Sequence, residues 1–206
     1  MVKRKNKISK KELILEKSIN LFLQKGYNGT TIKDITDTVG ITKGAFYWHF
    51  KSKDELLETF VDYYESAFTN TIIEEIRKSK GNFLTKMKYA HKWATEFAYH
   101  NRDLCVCFLT LAAEMVGSGT EIEKKIRRIY IKYRKFLQEL LMIGKKEGVI
   151  RENLDIKIVS NVINSLHNGS LLEWYINYND IEGDVFARTY RDIYLHGILK
   201  KGVNEN

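Results

Sequence analysis

Between Thr31 and Lys53 the chain gathers side chains that can grip an anion but offer no nucleophile–base pair for breaking a bond. Thr31, Thr42, Tyr47, His49, Lys51 and Lys53 supply hydroxyl, imidazole and ammonium donors. Thr31 and Thr42 each precede a predicted helix, where free N–H groups and the positive end of the helix dipole attract phosphate. Lys43, Gly44 and Ala45 follow Thr42. A lysine reaches guanine O6 and N7, an alanine meets a thymine methyl, and a glycine lets two backbones come close. Phosphate contacts fix register on a duplex, whereas base-edge contacts read sequence. These residue types support recognition of a nucleic acid rather than catalysis.

The charge distribution points the same way. Residues 1–53 hold 12 Lys/Arg against 4 Asp/Glu, and the other 153 residues hold 22 of each, so the whole net charge of +8 sits in one quarter of the chain. Such an asymmetry is the electrostatic footprint of a polyanionic partner.

Positioning these groups requires helices. The 206 residues contain no proline, which removes the strongest helix breaker, and no alternating β-branched run marks a strand. Ser9 with Glu12, Thr31 with Asp34, Ser52 with Glu55 and Thr120 with Glu123 have capping-box spacing, and Gly26, Gly40, Gly81 and Gly148 fall where helices should stop. The expected fold is all-α with about nine helices: 9–25, 32–39, 43–49, 53–79, 83–100, 103–116, 121–147, 156–177 and 184–200. In the first of these, Ile14, Ser18, Leu21 and Phe22 keep the spacing of a buried stripe. It should close on Ile32, Ile35, Val39, Ile41, Phe46 and Phe50, with the 53–79 helix as lid and shared by both halves of the molecule. The pattern Ile35…Val39-Gly40-Ile41…Phe46 is that of a helix-turn-helix, the glycine supplying the positive φ of a sharp turn. Because Phe46 and Phe50 take the buried i, i+4 positions, Tyr47 and Trp48 are left to face outward. Lys3, Arg4, Lys5 and Lys7 suit either a solvated tail or an arm reaching the duplex.

Residues 14–57, with landmarks Gly26-Tyr27, Thr30-Thr31, Ile35, Val39-Gly40, Lys43-Gly44, Tyr47, His49-Phe50 and Lys51-Ser52-Lys53, resemble the DNA-binding domain of the tetracycline-repressor (TetR) family of bacterial regulators. The resemblance implies a three-helix DNA-binding domain at 8–54 and a helical effector-binding and dimerisation domain at 55–206. It carries over Thr42, Lys43, Tyr47, His49 and Lys53 as DNA contacts, with Lys43, Gly44, Ala45 and Trp48 as base readers. Thr36 and Thr38 stand where the family usually has alanine; Thr36 is read as a packing residue with a back-bonded hydroxyl.

The C-terminal part carries no phosphate-cradling glycine loop, no hydrolase triad and no His-Glu-x-x-His, so neither an enzyme nor a metal or cofactor is expected. Glu96 and His100, four apart, read as an exposed ion pair. Cys105 and Cys107 lie two apart on one helix and read as small buried hydrophobes. Trp93, Phe97, Leu104, Phe108, Leu111 and Met115 form one apolar face and Tyr133, Phe136, Leu137, Leu140 and Leu141 another, interrupted by Glu114, His167 and Asn168. Composition alone leaves core and ligand cavity both open. Since family members hold effectors here, the resemblance names Trp93, Phe97, Phe108, Leu111, Met115, Tyr133, Leu137, His167 and Asn168 as lining for an apolar or amphipathic small molecule. Ile158, Val162, Ser165, Leu166, Gly169 and Leu172, with Trp174, Tyr175, Tyr178, Tyr190 and Tyr194 as aromatic anchors, suit a helix pair that makes a homodimer. Two heads one helical turn or a multiple apart read a palindromic operator in double-stranded DNA. With no signal peptide and no membrane span, a cytoplasmic repressor released by an effector is expected; the alternative is a dimeric DNA-binding accessory protein without effector.

Overall fold

The computed structural model describes residues 9–203. Its helices are α1 (Lys10–Gly29), α2 (Ile32–Val39), α3 (Lys43–His49), α4 (Lys53–Tyr64), α5 (Thr71–Lys78), α6 (Phe83–His100), α7 (Arg102–Met115), α8 (Glu121–Lys146), α9 (Ile156–Ile176) and α10 (Gly183–Ile198). A π-helical turn, Glu65–Asn70, joins α4 to α5 without a break, so the expected 53–79 helix is helical throughout with a wider turn in it. The Thr71 hydroxyl donates to the Ser66 carbonyl five residues back at 2.9 Å, which matches that wider turn. Among the described residues the only β pairing is an isolated antiparallel bridge between Ile150 and Leu199. The fold is all-α, as the sequence implies. No helix among the described residues is long and apolar enough to cross a membrane.

The four expected capping boxes do not all close. Ser9–Glu12 and Thr31–Asp34 close reciprocally. At Ser52 and Thr120 only half the box forms. Both hydroxyls accept the expected amide, from Glu55 at 3.0 Å and Glu123 at 3.2 Å. The Glu55 carboxylate instead takes the Lys51 N–H at 2.7 Å, and Glu123 takes the Gly117 and Gly119 N–H groups at 3.1 and 2.8 Å. Loop amides without other partners compete for a carboxylate as strongly as a cap does.

The chain divides into two compact units. The first takes in residues up to Tyr64 together with Asp103–Lys124; the second takes in Glu65–Arg102 and Lys125 onward. The first is closed by Ile14, Phe22, Ile35, Phe46, Phe50, Leu56 and Phe60, all buried. Cys105 and Cys107 of α7 are buried free thiols, and burial pushes Cys105 up to about 12. The core of the second unit is built on Ile72, Ile76, Phe83, Phe136, Leu141, Ile163 and Leu195. The chain passes between the units three times, at 64–65, 102–103 and 124–125.

Candidate nucleic-acid interface

The reading head is built from α1 to α4. Gly40 closes α2 in the left-handed conformation (φ 72°, ψ 45°), and its N–H and that of Ile41 both return to the Thr36 carbonyl at 2.9 and 3.0 Å. A Cβ there would meet no atom within 4 Å, so the turn demands glycine for its φ, not for space. Thr36 is 3 % exposed and its hydroxyl donates to the Lys33 carbonyl at 3.0 Å, the packing role expected from its position. Lys25 pairs with Asp34 at 2.7 Å and fastens α1 to α2; that bond and those from Thr31 hold the Asp34 carboxyl far below its usual range.

This frame presents the start of α3 to solvent. Thr42, Lys43 and Gly44 are exposed, as are Tyr47 (51 %) and Trp48 (82 %), while Ala45 and His49 are half-buried. Phe46 and Phe50 are sunk to 0 and 1 %, so the helix turns its aromatic pair inward and its donors outward. The Trp48 ring stands edge-on to His49 with centroids 4.5 Å apart. Thr42 accepts the Ala45 N–H at 3.1 Å, and its own hydroxyl proton remains for an anion.

Two of the residues expected at this surface already have their polar atoms bonded to partners of the same chain. The Thr31 hydroxyl donates to Asp34 at 2.6 Å while accepting the Asp34 N–H. The Lys53 ammonium donates to the Tyr27 and Thr30 carbonyls at 2.7 and 2.8 Å and lies over the Tyr27 ring at 4.1 Å. Burial lowers the Lys53 pKa, with Asp54 and Glu114 opposing it. Lys53 thus ties the start of α4 to the corner after α1.

That corner has a second fastening, which sequence reasoning placed elsewhere. Glu114, at the end of α7, accepts the Tyr27 and Asn28 N–H groups at 2.8 Å each. Gly26 (φ 70°) breaks α1 and aims these amides outward, and a Cβ on it would come within 3.3 Å of the Glu114 carboxylate. The Tyr27 hydroxyl donates to Asp54. Glu114 therefore holds the head rather than interrupting a ligand face; the sequence signal was a lone acid ending an apolar helix.

The residues expected to line an effector site fall into both units. Phe108, Leu111 and Met115 are buried in the first, with Phe108 stacked on Tyr64 at 3.7 Å. In the second unit Phe68 packs on Trp93, Phe97 and Tyr133 with centroids 5.7, 5.3 and 5.7 Å apart. Leu137 is buried there, His167 faces the Tyr133 hydroxyl across 3.4 Å, and Asn168 bonds Tyr130. His91, which sequence reasoning missed, joins this group from the Met87–Ala94 stripe of α6 and is 3 % exposed. Glu96 and His100 do not form the expected ion pair: His100 Nδ1 contacts the Glu96 carbonyl at 2.8 Å and the Glu96 carboxylate lies 3.6 Å from Lys92. Among the described residues no group of three or more His, Cys, Asp or Glu could hold a metal ion.

On α9, Ile158, Val162, Leu172 and Ile176 stand exposed, as do Val185 and Ile193 on α10. Tyr194 is buried and Tyr190 half-buried, so these two tyrosines turn into the second unit instead of serving as surface anchors.

Residues 14–60 match the family described as bacterial regulatory proteins, tetR family, and residues 64–194 match the C-terminal region of YsiA-like proteins. The chain is 30 % identical to the uncharacterised transcriptional regulator YerO of Bacillus subtilis, over 95 % of this chain and 68 % of that protein. It is 28 % identical to the transcriptional repressor KstR2 of Mycobacterium tuberculosis, over 95 % of this chain and 96 % of that one. The crystal structure of the MbdR regulator of Azoarcus sp. CIB superposes with a TM-score of 0.84 at 25 % identity, covering 92 % of this chain and 98 % of that one. Family matches over 14–60 and 64–194 and a relative 30 % identical over 95 % of the chain thus agree, and the chain belongs to the tetR family of DNA-binding transcriptional regulators.

Proposed function

We propose that the protein is a cytoplasmic homodimeric repressor that occupies a palindromic operator and leaves it when a small apolar or amphipathic effector binds the helical region after residue 55. The observation that carries the reading is the exposed start of α3, where donors project from a chain whose net charge of +8 sits within residues 1–53, half of it on Lys3, Arg4, Lys5 and Lys7, which lie outside the described residues. Lys43, Gly44, Ala45 and Trp48 read base edges; Thr42, Tyr47 and His49 hold phosphates. Thr31 and Lys53 add their helix end and their charge while their polar atoms fix the head. The apolar stripe on α9 and α10 supports a second copy as its cover, because exposed apolar side chains in a row mark an interface. A lone head buries too little surface for tight binding, and two-fold pairing repeats it on successive turns of the duplex.

Relatives suggest the effector class. KstR2 is a repressor, the Bacillus subtilis FadR structure holds stearoyl-CoA, and the AibR structure holds isovaleryl coenzyme A and operator DNA. For this chain we infer an acyl-coenzyme A thioester. α7 continues the chain from α6 of the second unit and ends on the Glu114 carboxylate that grips Tyr27 and Asn28. An effector that prefers one placement of α7 therefore shifts the heads, and a coupling of about 1–3 kcal/mol suffices.

The test selects operator sequences from random duplexes with the full-length protein and then measures their affinity with and without acyl-CoA esters of several chain lengths. Weaker operator binding with one ester class is expected. A palindrome whose binding no ester alters would leave a DNA-binding accessory protein, and failure to enrich any duplex would end the DNA reading.

A further inference from the structure

In the second unit, α6, α8, α9 and α10 bring two histidines and three tyrosines to one point. His91 lies 5.8 Å, centroid to centroid, from His167, 4.8 Å from Tyr190 and 6.1 Å from Tyr194. His167 lies 5.9 Å from Tyr190 and 6.2 Å from Tyr194, and its Nδ1 is 3.4 Å from the Tyr133 hydroxyl. Both nitrogens of His91 and the Nε2 of His167 are buried without a hydrogen-bond partner within the protein. The Ala187 carbonyl approaches His91 and offsets a little of the burial, yet it does not reach hydrogen-bond geometry. Buried polar atoms nearly always find partners, because water's bonds are lost on burial. Elsewhere this core uses Phe83, Phe136 and Ile163, which carry no such cost.

We propose that His91 and His167, with the phenols of Tyr190 and Tyr194, form the polar end of the effector site and bind an uncharged oxygen, a hydroxyl or ketone, carried on the apolar body of the effector. The inference rests on the effector reading above and narrows it: a plain saturated acyl chain has no atom for these nitrogens. The adjoining rings of Phe68, Trp93 and Phe97, which reach the cluster through Tyr133, suit the apolar body. Burial holds His91 down to about 3 and His167 to about 4, so both imidazoles are neutral at physiological pH. His91 then offers one donor and one acceptor, and His167 offers its Nε2 while its Nδ1 faces the Tyr133 hydroxyl. That pair matches a hydroxyl or ketone; a carboxylate or phosphate would call for a cation. The charged groups facing His91 from α10, Arg191 and Asp192, act on it in opposite directions.

Two measurements on the full-length protein test this. The first follows the imidazole 15N resonances of His91 and His167, assigned with His91→Leu and His167→Leu, during addition of neutral ring probes. Cyclohexanol or cyclohexanone should shift both resonances and methylcyclohexane should not. Equal responses, or none, overturn the proposal and leave a trapped water as the partner of these nitrogens. This holds whether or not a thioester is the effector. The second compares dissociation constants for decanoyl-CoA and 10-hydroxydecanoyl-CoA, and for benzoyl-CoA and 4-hydroxybenzoyl-CoA. At least tenfold tighter binding of one hydroxylated member than of its plain counterpart is expected, and that preference should vanish in either leucine variant. Binding of the esters with no preference for oxygen, or a preference that survives both substitutions, overturns the oxygen subsite while sparing the effector reading. If no ester binds, the thioester class fails and the 15N shifts alone decide the subsite.

Discussion

The two units differ in what becomes of some of their buried polar side chains, although Ser160 of the second unit, like those of the first, is tied locally, to the Lys157 carbonyl at 2.8 Å. In the first, every such group named above is tied off locally: Ser18 to the Ile14 carbonyl at 2.7 Å, Thr30 to the Gly26 carbonyl at 2.7 Å, Thr36 to the Lys33 carbonyl at 3.0 Å. In the second, three imidazole nitrogens stay open. A reading head must present donors at fixed spacing, so its internal bonds are spent on rigidity. Under the effector site proposed above, the open nitrogens of the second unit are left for an effector to bond.

Substitutions can break this contrast or sharpen it. Phe46→Ala should have the largest effect, about 3–5 kcal/mol in denaturant-measured stability, because a fully buried ring in so small a core leaves a cavity that cannot collapse. Acid should come next and should act on the second unit. Both imidazoles are neutral when folded and titrate near 6.5 when unfolded, so the unfolded chain takes up protons first as pH falls. Stability should therefore be full above about 6.5 and drop toward about 4, with a slope near 1.4 kcal/mol per pH unit for each imidazole at its steepest. His91→Leu should flatten that part of the profile, and an unchanged slope would show that His91 is not held neutral.

Glu114→Ala should cost about 1–3 kcal/mol by stranding the Tyr27 and Asn28 amides. Faster hydrogen exchange confined to those two amides would locate the loss, and unaltered exchange would contradict the clasp. Lys43→Ala should change stability least, within about 0.5 kcal/mol. Its effect belongs to DNA: blurred preference at one base position, and a salt slope lower by about one where the ammonium also meets a phosphate. By contrast Lys53→Ala should weaken the fold as well as binding, since its ammonium closes two carbonyls.

The helices, their stops at Gly26, Gly40, Gly81 and Gly148, the packing role of Thr36 and the outward face of Tyr47 and Trp48 were all readable from spacing. Each depends on residues within one or two turns of each other, and periodicity reports that range faithfully. The same local logic missed the fate of Glu55 and Glu123, whose carboxylates left their caps for nearby loop amides.

What spacing could not reach was pairing over long sequence distance. Glu114 meets Tyr27 across 87 residues, and Lys53 meets the Tyr27 carbonyl across 26. His91 and His167 come together from separate helices, and Tyr190 and Tyr194 turned inward against an interface reading. Side-chain chemistry and local helix geometry are written in the order of residues. Which distant carboxylate satisfies which amide, and which imidazole is left without a partner, is decided only when the helices pack and water is driven out.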